Sequence, residues 1–197
     1  MIGVSILMPL NAIFSAPGYM VNYYKYVTND PDAKPNNPTF WANILTFYNV
    51  ASVVTQIICG PTVVTPIMSK LSLRTRFTAA LLLMMVEVFV VLMMPIGNGV
   101  SQKSAIVSFF IVTIVSGAGK SYLEATSYAT VGTMPPKFMS ALMFGCGFSG
   151  VISSVLQCIV KSSYSDTYES VHAQAYLYFS LTLVFMIFAL IMALSLR

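Results

Sequence analysis

The chain has 197 residues, 57% of them hydrophobic and only 8% charged, with a formal net charge of +4. Ordinary soluble domains carry about 25% charged residues, so a soluble globular fold is excluded: a core of this size could not take up so much apolar surface. An all-α polytopic membrane protein is the class that remains. The positive balance says little about nucleic acid, and no nucleic-acid partner is expected; where the charges lie along the chain matters more.

Six stretches are long enough to span a hydrocarbon core, which takes about 20 helical residues; they lie at 2–24, 41–69, 77–96, 104–134, 138–160 and 173–196. The first carries Pro9, Asn11, Pro17 and Gly18 inside its apolar run and lacks a basic leader. It reads as a bent, polar-lined helix rather than a signal peptide. A Pro-punctuated stretch, YKYVTNDPDAKPNNPTF, follows and must lie in water. The second span contains Asn43, Asn49, Thr55, Gln56 and the Gly60-Pro61 pair, and the third carries Glu87 near its midpoint. Residues 97–103 connect tightly to the fourth span, which Pro135-Pro136-Lys137 closes, and the loop 161–172 leads to the sixth.

Loop charges orient the bundle. One side holds Lys70, Arg74, Arg76, Lys137 and Arg197 with no acid; the other holds Lys25, Lys34, Lys103 and Lys161, balanced by Asp30, Asp32, Asp166 and Glu169. The local signal SKLSLRTR between the second and third spans places that loop, and with it both termini, in the cytoplasm.

The fourth span carries the main functional candidate. Lys120 and Glu124 are four apart and share a helix face with Thr113, Gly117 and Ser127. A charge at the bilayer centre costs roughly 2.5–3.5 kcal/mol on insertion scales. Such residues persist facing a bundle interior or a wet cavity, where they bind substrate, a coupling proton or both. The alternative is a structural ion pair. Glu87 is likewise either a proton-coupling group or a carboxyl paired with Lys120. Asn11 and Gln56 serve equally well as ligands or as interhelical hydrogen-bond glue. In the fifth span Ala141, Gly145 and Ser149 recur every fourth residue, as do Cys146, Gly150 and Ser154. Small residues at that spacing let a neighbouring helix approach closely, as fixed packing or as a sliding surface.

Other chemistries fail on residue type. Cys59, Cys146 and Cys158 show no paired or metal-ligand spacing, and His172 is the single histidine, so neither a His-based metal site nor a catalytic triad can be assembled. Gly119-Lys120-Ser121 imitates a phosphate-binding loop but has Ile114 where that loop needs glycine. No paired aspartates lie in the spans for intramembrane proteolysis. No enzyme and no cofactor are implied.

Two blocks carry a family resemblance. GVSILMPLNAIFSA resembles the G-x-x-x-L-x-P-x-N signature that opens equilibrative nucleoside transporters, and SYLEATSYATVGTMPPKFMSALMFGCGFSG resembles that family's fourth and fifth helices. The basic loop ending Arg74-Thr75-Arg76 also matches, and the intramembrane lysine and the YYK ending of the first helix look most like the protozoan purine-transporter branch. The resemblance implies a major-facilitator-like fold of eleven helices. This chain supplies its N-terminal six-helix bundle, and the C-terminal half is the missing partner. It further implies alternating-access passage of purine nucleosides or nucleobases, facilitated or proton-coupled, across the plasma membrane.

The family's substrate-contacting glutamine falls on Glu124, and its first-helix tryptophan falls on Leu10, with Phe14 one turn on as a replacement. Val54 and Ile57 fall at cavity-wall positions. Two three-helix repeats with their first members flanking the cavity would set Leu10, Asn11 and Phe14 across from Lys120, Glu124 and Ser127. Glu87, Lys120 and Glu124 are the groups for proton coupling, and Ala141, Gly145, Ser149 and Gly150 the packing surface. The rival reading is a membrane-embedded assembly subunit whose Lys120–Glu124 pair binds a partner helix.

Overall fold

Capping serines and prolines set where the helices begin and end. In the computed structural model, which describes residues 2–65, 70–97, 99–163 and 167–195, the helices run α1 (Ile2–Ser15), α2 (Pro17–Val21), α3 (Tyr23–Thr28), α4 (Pro38–Ala42), α5 (Ile44–Cys59), α6 (Leu73–Met93), α7 (Gln102–Gly132), α8 (Pro136–Ser163) and α9 (Tyr168–Ser195). Short 3-10 turns at Gly60–Val64 and Met94–Ile96 extend α5 and α6. The Ser72 and Ser101 hydroxyls each accept an amide three residues on, at 3.2 Å, and so satisfy a free donor at the starts of α6 and α7. Helix α8 opens on Pro136, whose missing amide proton costs nothing in a first turn.

Among the described residues, five helices are long and apolar enough to cross a membrane: Ile44–Val63, Leu73–Ile96, Gln102–Gly132, Pro136–Ser162 and Tyr168–Ser195. The expected first span, 2–24, is instead three consecutive short helices. Helix α1 has 14 residues, about 21 Å of rise against a core of about 30 Å. Pro17 causes the break, because it has no amide proton to continue the ladder and it pushes the preceding residue out of helical space. Ala16 accordingly sits at φ −118, ψ 54. The expected second span is likewise divided at Asn43, between α4 and α5, and its expected end at 66–69 lies outside the described residues. Asp166 and Arg197, used above to weigh the loop charges, also lie outside them. The sixth helix begins at Tyr168, five residues before the expected 173, which draws His172 into it.

Helices α7, α6, α9, α1 and α8 form a ring in that order, with α8 returning to touch α7, and α5 packs on α7. In lipid, helices gain little from burying apolar surface against each other, so close backbone approach carries the packing. Three glycines provide it. A Cβ on Gly119 would lie 2.8 Å from the Ala80 carbonyl oxygen and 2.9 Å from the Leu83 Cβ, so α7 meets α6 at contact distance. Two residues earlier, a Cβ on Gly117 would lie 3.1 Å from both the Ser52 carbonyl oxygen and the Thr55 Cβ of α5. Gly3 brings α1 onto α8, where an added Cβ would strike the Leu142 carbonyl.

Two buried clusters fill the ring. One, at the Arg74 end, contains Ile6, Phe77, Leu81, Met84, Leu123 and Met186. The other, at the α3–α4 end, is aromatic. Tyr26 stacks on Tyr168 at 4.5 Å, on His172 at 5.1 Å and on Tyr19 at 4.8 Å between ring centres, joining the broken helix to the start of α9. Trp41 lies against Tyr24 at 5.5 Å and donates from Nε1 to Asn36 Oδ1 at 3.1 Å. The water-facing loop is tied down in turn: Gln102 donates to the Lys34 carbonyl at 2.9 Å and accepts from the Asn36 amide at 2.8 Å.

Replacing Gly119 by Val should lower stability by about 1–3 kcal/mol through overpacking. Gly147→Ala, where nothing lies within 4 Å of the added Cβ, should be neutral or slightly stabilising. Thermal unfolding of the detergent-purified chain, followed by circular dichroism, separates the two. By the same measurement Trp41→Ala should cost about 3–5 kcal/mol.

Candidate functional site

Helix α7 carries a polar stripe through an otherwise apolar wall. Thr113, Ser116, Gly117 and Ser127 are buried along it, and Lys120 and Glu124 are half-buried. The helix itself absorbs several hydroxyls: Thr113 donates to the Phe109 carbonyl at 2.8 Å and Ser127 to the Leu123 carbonyl at 2.6 Å. Thus Ser127 is satisfied before any ligand arrives. Lys120 and Glu124 are not absorbed in this way.

Glu124 Oε1 accepts a 3.0 Å hydrogen bond from the Tyr128 hydroxyl one turn further on. Among the described residues no lysine or arginine nitrogen comes within 4.0 Å of a carboxylate oxygen, so Lys120 and Glu124 do not close on each other. Instead Lys120 lies in the field of two carboxylates, Glu124 on its own helix and Glu87 on α6, with the Cys146 thiol of α8 beside them.

Glu87 is fully buried. Its Oε2 accepts a long 3.4 Å bond from the Tyr48 hydroxyl of α5, and its Oε1 has no hydrogen-bond partner. The side chains of Ser116, Thr113 and Lys120 surround it. An isolated buried charge costs several kcal/mol even after relaxation, so this carboxyl depends on the polar groups of α5 and α7. Tyr48 in turn touches Phe14 of α1 edge-on at 6.1 Å and Phe109 of α7 at 6.0 Å. A continuous track therefore runs from Phe14 through Tyr48, Glu87 and Lys120 to Glu124 and Tyr128. It crosses four helices.

The other sequence candidates take varied positions. Asn11 donates to Ser149 at 3.0 Å, pinning α1 to α8, and Leu10 packs against the aromatic cluster. Val54 and Ile57, 48% and 68% exposed, are not brought to Lys120. Gly117 needs Ser52 and Thr55 turned towards α7, which at helical periodicity swings 54 and 57 to the far side. Tyr48, Ser52, Thr55 and Gln56 hold the near side, and Ser121 donates to the Gln56 carbonyl at 3.4 Å. On α8, Gly145 lies against Gly3, with its added Cβ 3.2 Å from the Gly3 Cα. Gly150 has nothing within 4 Å and Ala141 is exposed.

Two residues of the track, Tyr48 and Tyr128, escaped the sequence reading. Tyr128 was legible, four places from Glu124 on the same face. Tyr48 also shares a helical stripe with Ser52 and Thr55, but nothing in the sequence pairs it with a carboxylate 39 residues away. Together the groups offer an ammonium donor, a carboxylate acceptor, hydroxyls and aromatic rings, which suits a solute rich in neutral heteroatoms.

Comparison with known proteins gives the same direction. The family model described as "Nucleoside transporter" matches residues 108–197. The chain is 40% identical over 181 residues to adenosine transporter 1 of Crithidia fasciculata, covering 92% of this chain and 36% of that protein. It is 38% identical over 181 residues to nucleoside transporter 1.1 of Leishmania donovani, covering 92% and 37%. It is 24% identical over 189 residues to equilibrative nucleotide transporter 1 of Arabidopsis thaliana, covering 94% and 39%. No solved structure matches. The chain spans little more than a third of the length of the curated relatives it matches, 36% for the first. Its apolar spans, its two motif blocks and these matches agree: the chain is an integral membrane protein and belongs to the equilibrative nucleoside transporter family.

Proposed function

We propose that this chain forms one wall of a nucleoside pathway across the membrane and works by alternating access with the part of the protein it lacks. The observation that carries this reading is Lys120 and Glu124, held half-buried on one face of α7 without neutralising each other. A static pair locking two helices would close to hydrogen-bond distance and satisfy both charges. These two remain available to a ligand. Lys120 donates to a base nitrogen or carbonyl, Glu124 accepts from ribose hydroxyls, and the Tyr128 and Phe14 rings supply flat apolar surface for a purine. The names of the relatives, adenosine transporter 1 and nucleoside transporter 1.1 among them, support a nucleoside as the solute.

Glu87 serves this pathway from behind. It is too deeply buried to meet substrate, but it shares Lys120 with Glu124 and so sets how firmly the ammonium is held. Where transport is proton-coupled, the exchange passes through Glu87, Lys120 and Glu124; where it is facilitated, no proton is exchanged during the cycle. The basic loop at Lys70, Arg74 and Arg76 sets the cytoplasmic side. Both termini share that side in the six-crossing reading.

Radiolabelled adenosine uptake into purine-auxotrophic cells tests the proposal, comparing the chain alone with a fusion to the C-terminal portion of a Crithidia or Leishmania relative. Uptake is expected from the fusion, and its absence in a folded, membrane-inserted fusion sinks the reading. In the fusion, Glu124→Ala should lower uptake by about tenfold to a hundredfold, the loss of one hydrogen bond to a charged group worth about 1.5–3 kcal/mol. The double exchange Lys120→Glu with Glu124→Lys should not restore it, because a substrate site reads position as well as charge. If protons are coupled, Glu87→Gln flattens the dependence of uptake on pH across the neutral range. An unchanged profile in both Glu87→Gln and Glu124→Gln assigns facilitated passage.

A further inference from the structure

The seam between α6 and α9 has a feature the solute pathway does not use. Two cavities lie end to end along it and share the wall residue Leu82. The first, about 290 Å³, is headed by Arg74, Thr75 and Thr78 with Leu194 opposite. The second, about 440 Å³, is walled by Leu82, Met85, Val86, Phe89, Leu183 and Ile187, all apolar. The groove is thus amphiphilic, with a cationic, hydroxyl-bearing head and a wholly apolar tail.

Three observations specify what fills it. The first is length: Arg74 to Phe89 covers about 22 Å of helix at 1.5 Å per residue. That equals one leaflet of a bilayer with its headgroups, half of about 40–45 Å. The second is charge. No acidic residue occurs between Asp32 and Glu87, so Lys70, Arg74 and Arg76 have no carboxylate nearby in the chain. The Thr78 Oγ1, at the head of the groove, is a buried hydroxyl without a hydrogen-bond partner. The third is position. Helix α6 packs against α7 and α9, and α9 against α6 and α1, so neither α5 nor α8 packs over this seam.

We propose that the α6–α9 seam is a binding groove for a single anionic phospholipid, its phosphate held by Arg74 and Thr78 and one acyl chain lying along Leu82, Val86 and Phe89. Arginine suits the role because its planar fork matches phosphate oxygens, and anionic lipids concentrate in the leaflet that basic loops face. A zwitterionic lipid fits the tail equally well but offers the head a neutralised phosphate. The groove therefore selects by headgroup charge and retains by tail.

Native mass spectrometry of the full 197-residue chain in detergent tests this, with phosphatidylglycerol and phosphatidylcholine of identical acyl chains added at equal concentration. Phosphatidylglycerol should be retained preferentially as a single adduct. Arg74→Gln, at an exposed side chain, should lower that retention about fivefold, the effect of one basic residue near a membrane surface, and leave phosphatidylcholine unchanged. Leu82→Trp, which fills the wall common to both cavities, should remove the phosphatidylglycerol adduct, while Lys103→Gln at the other end of the bundle should not. Both groove positions are exposed, and circular dichroism checks that the variants fold. Equal retention of the two lipids by the unaltered chain overturns the proposal. So does full phosphatidylglycerol retention by either groove variant, or displacement of the adduct by glycerophosphoglycerol alone.

Discussion

Helix α7 can hold charged residues within an apolar bundle because its backbone lies in direct contact with two neighbours at once. Gly117 admits α5 and Gly119 admits α6, two residues apart and on different sides of the helix. That spacing fixes the rotation of α7, and the rotation decides where Lys120 and Glu124 point. A side chain at either glycine would push a neighbour away and turn the polar stripe with it. The glycines carry no side chain themselves, yet they aim the charged residues of the stripe.

The same constraint explains the composition of the track. Once α5 and α6 are drawn in at Gly117 and Gly119, Tyr48 and Glu87 come to the same depth as Ser116 and Thr113. A carboxyl with one long hydrogen bond and one bare oxygen would be a poor choice for stability alone. Its place beside the ammonium of Lys120 ties the α6 wall to the charge balance at the face. The polar groups therefore form one electrostatic unit built from four helices.

How much of this the sequence shows depends on the kind of signal. The long apolar helices are plain in it, since composition and length decide them, and Lys120 and Glu124 stand out because charge in an apolar run is costly. The division of the first span was only half legible: Pro17 and Gly18 announce a bend, but whether a bend becomes a break depends on what supports the freed backbone. Here stacked tyrosines from α3 and α9 do so. The small-residue stripe on α8 was visible as a period, but a period does not say which neighbour will use it. Gly145 meets Gly3, while Gly150 meets nothing. The phase of α5 is also set from outside the helix: Gly117 draws Ser52 and Thr55 inward, which leaves Val54 and Ile57 exposed. Contacts between helices far apart in the chain, Tyr48 with Glu87 above all, leave no local trace.

Trp41 is the chain's single tryptophan, and it sits wedged among Tyr23, Tyr24 and Phe40 with its indole nitrogen bonded to Asn36. The protein thus carries an intrinsic optical probe at one known place. Indole emission reports the polarity and hydrogen bonding around that ring, and nearby tyrosines feed it excitation energy. Its spectrum and lifetime therefore read the closure of the α3–α4 end alone, without an introduced label and without a background from elsewhere in the chain.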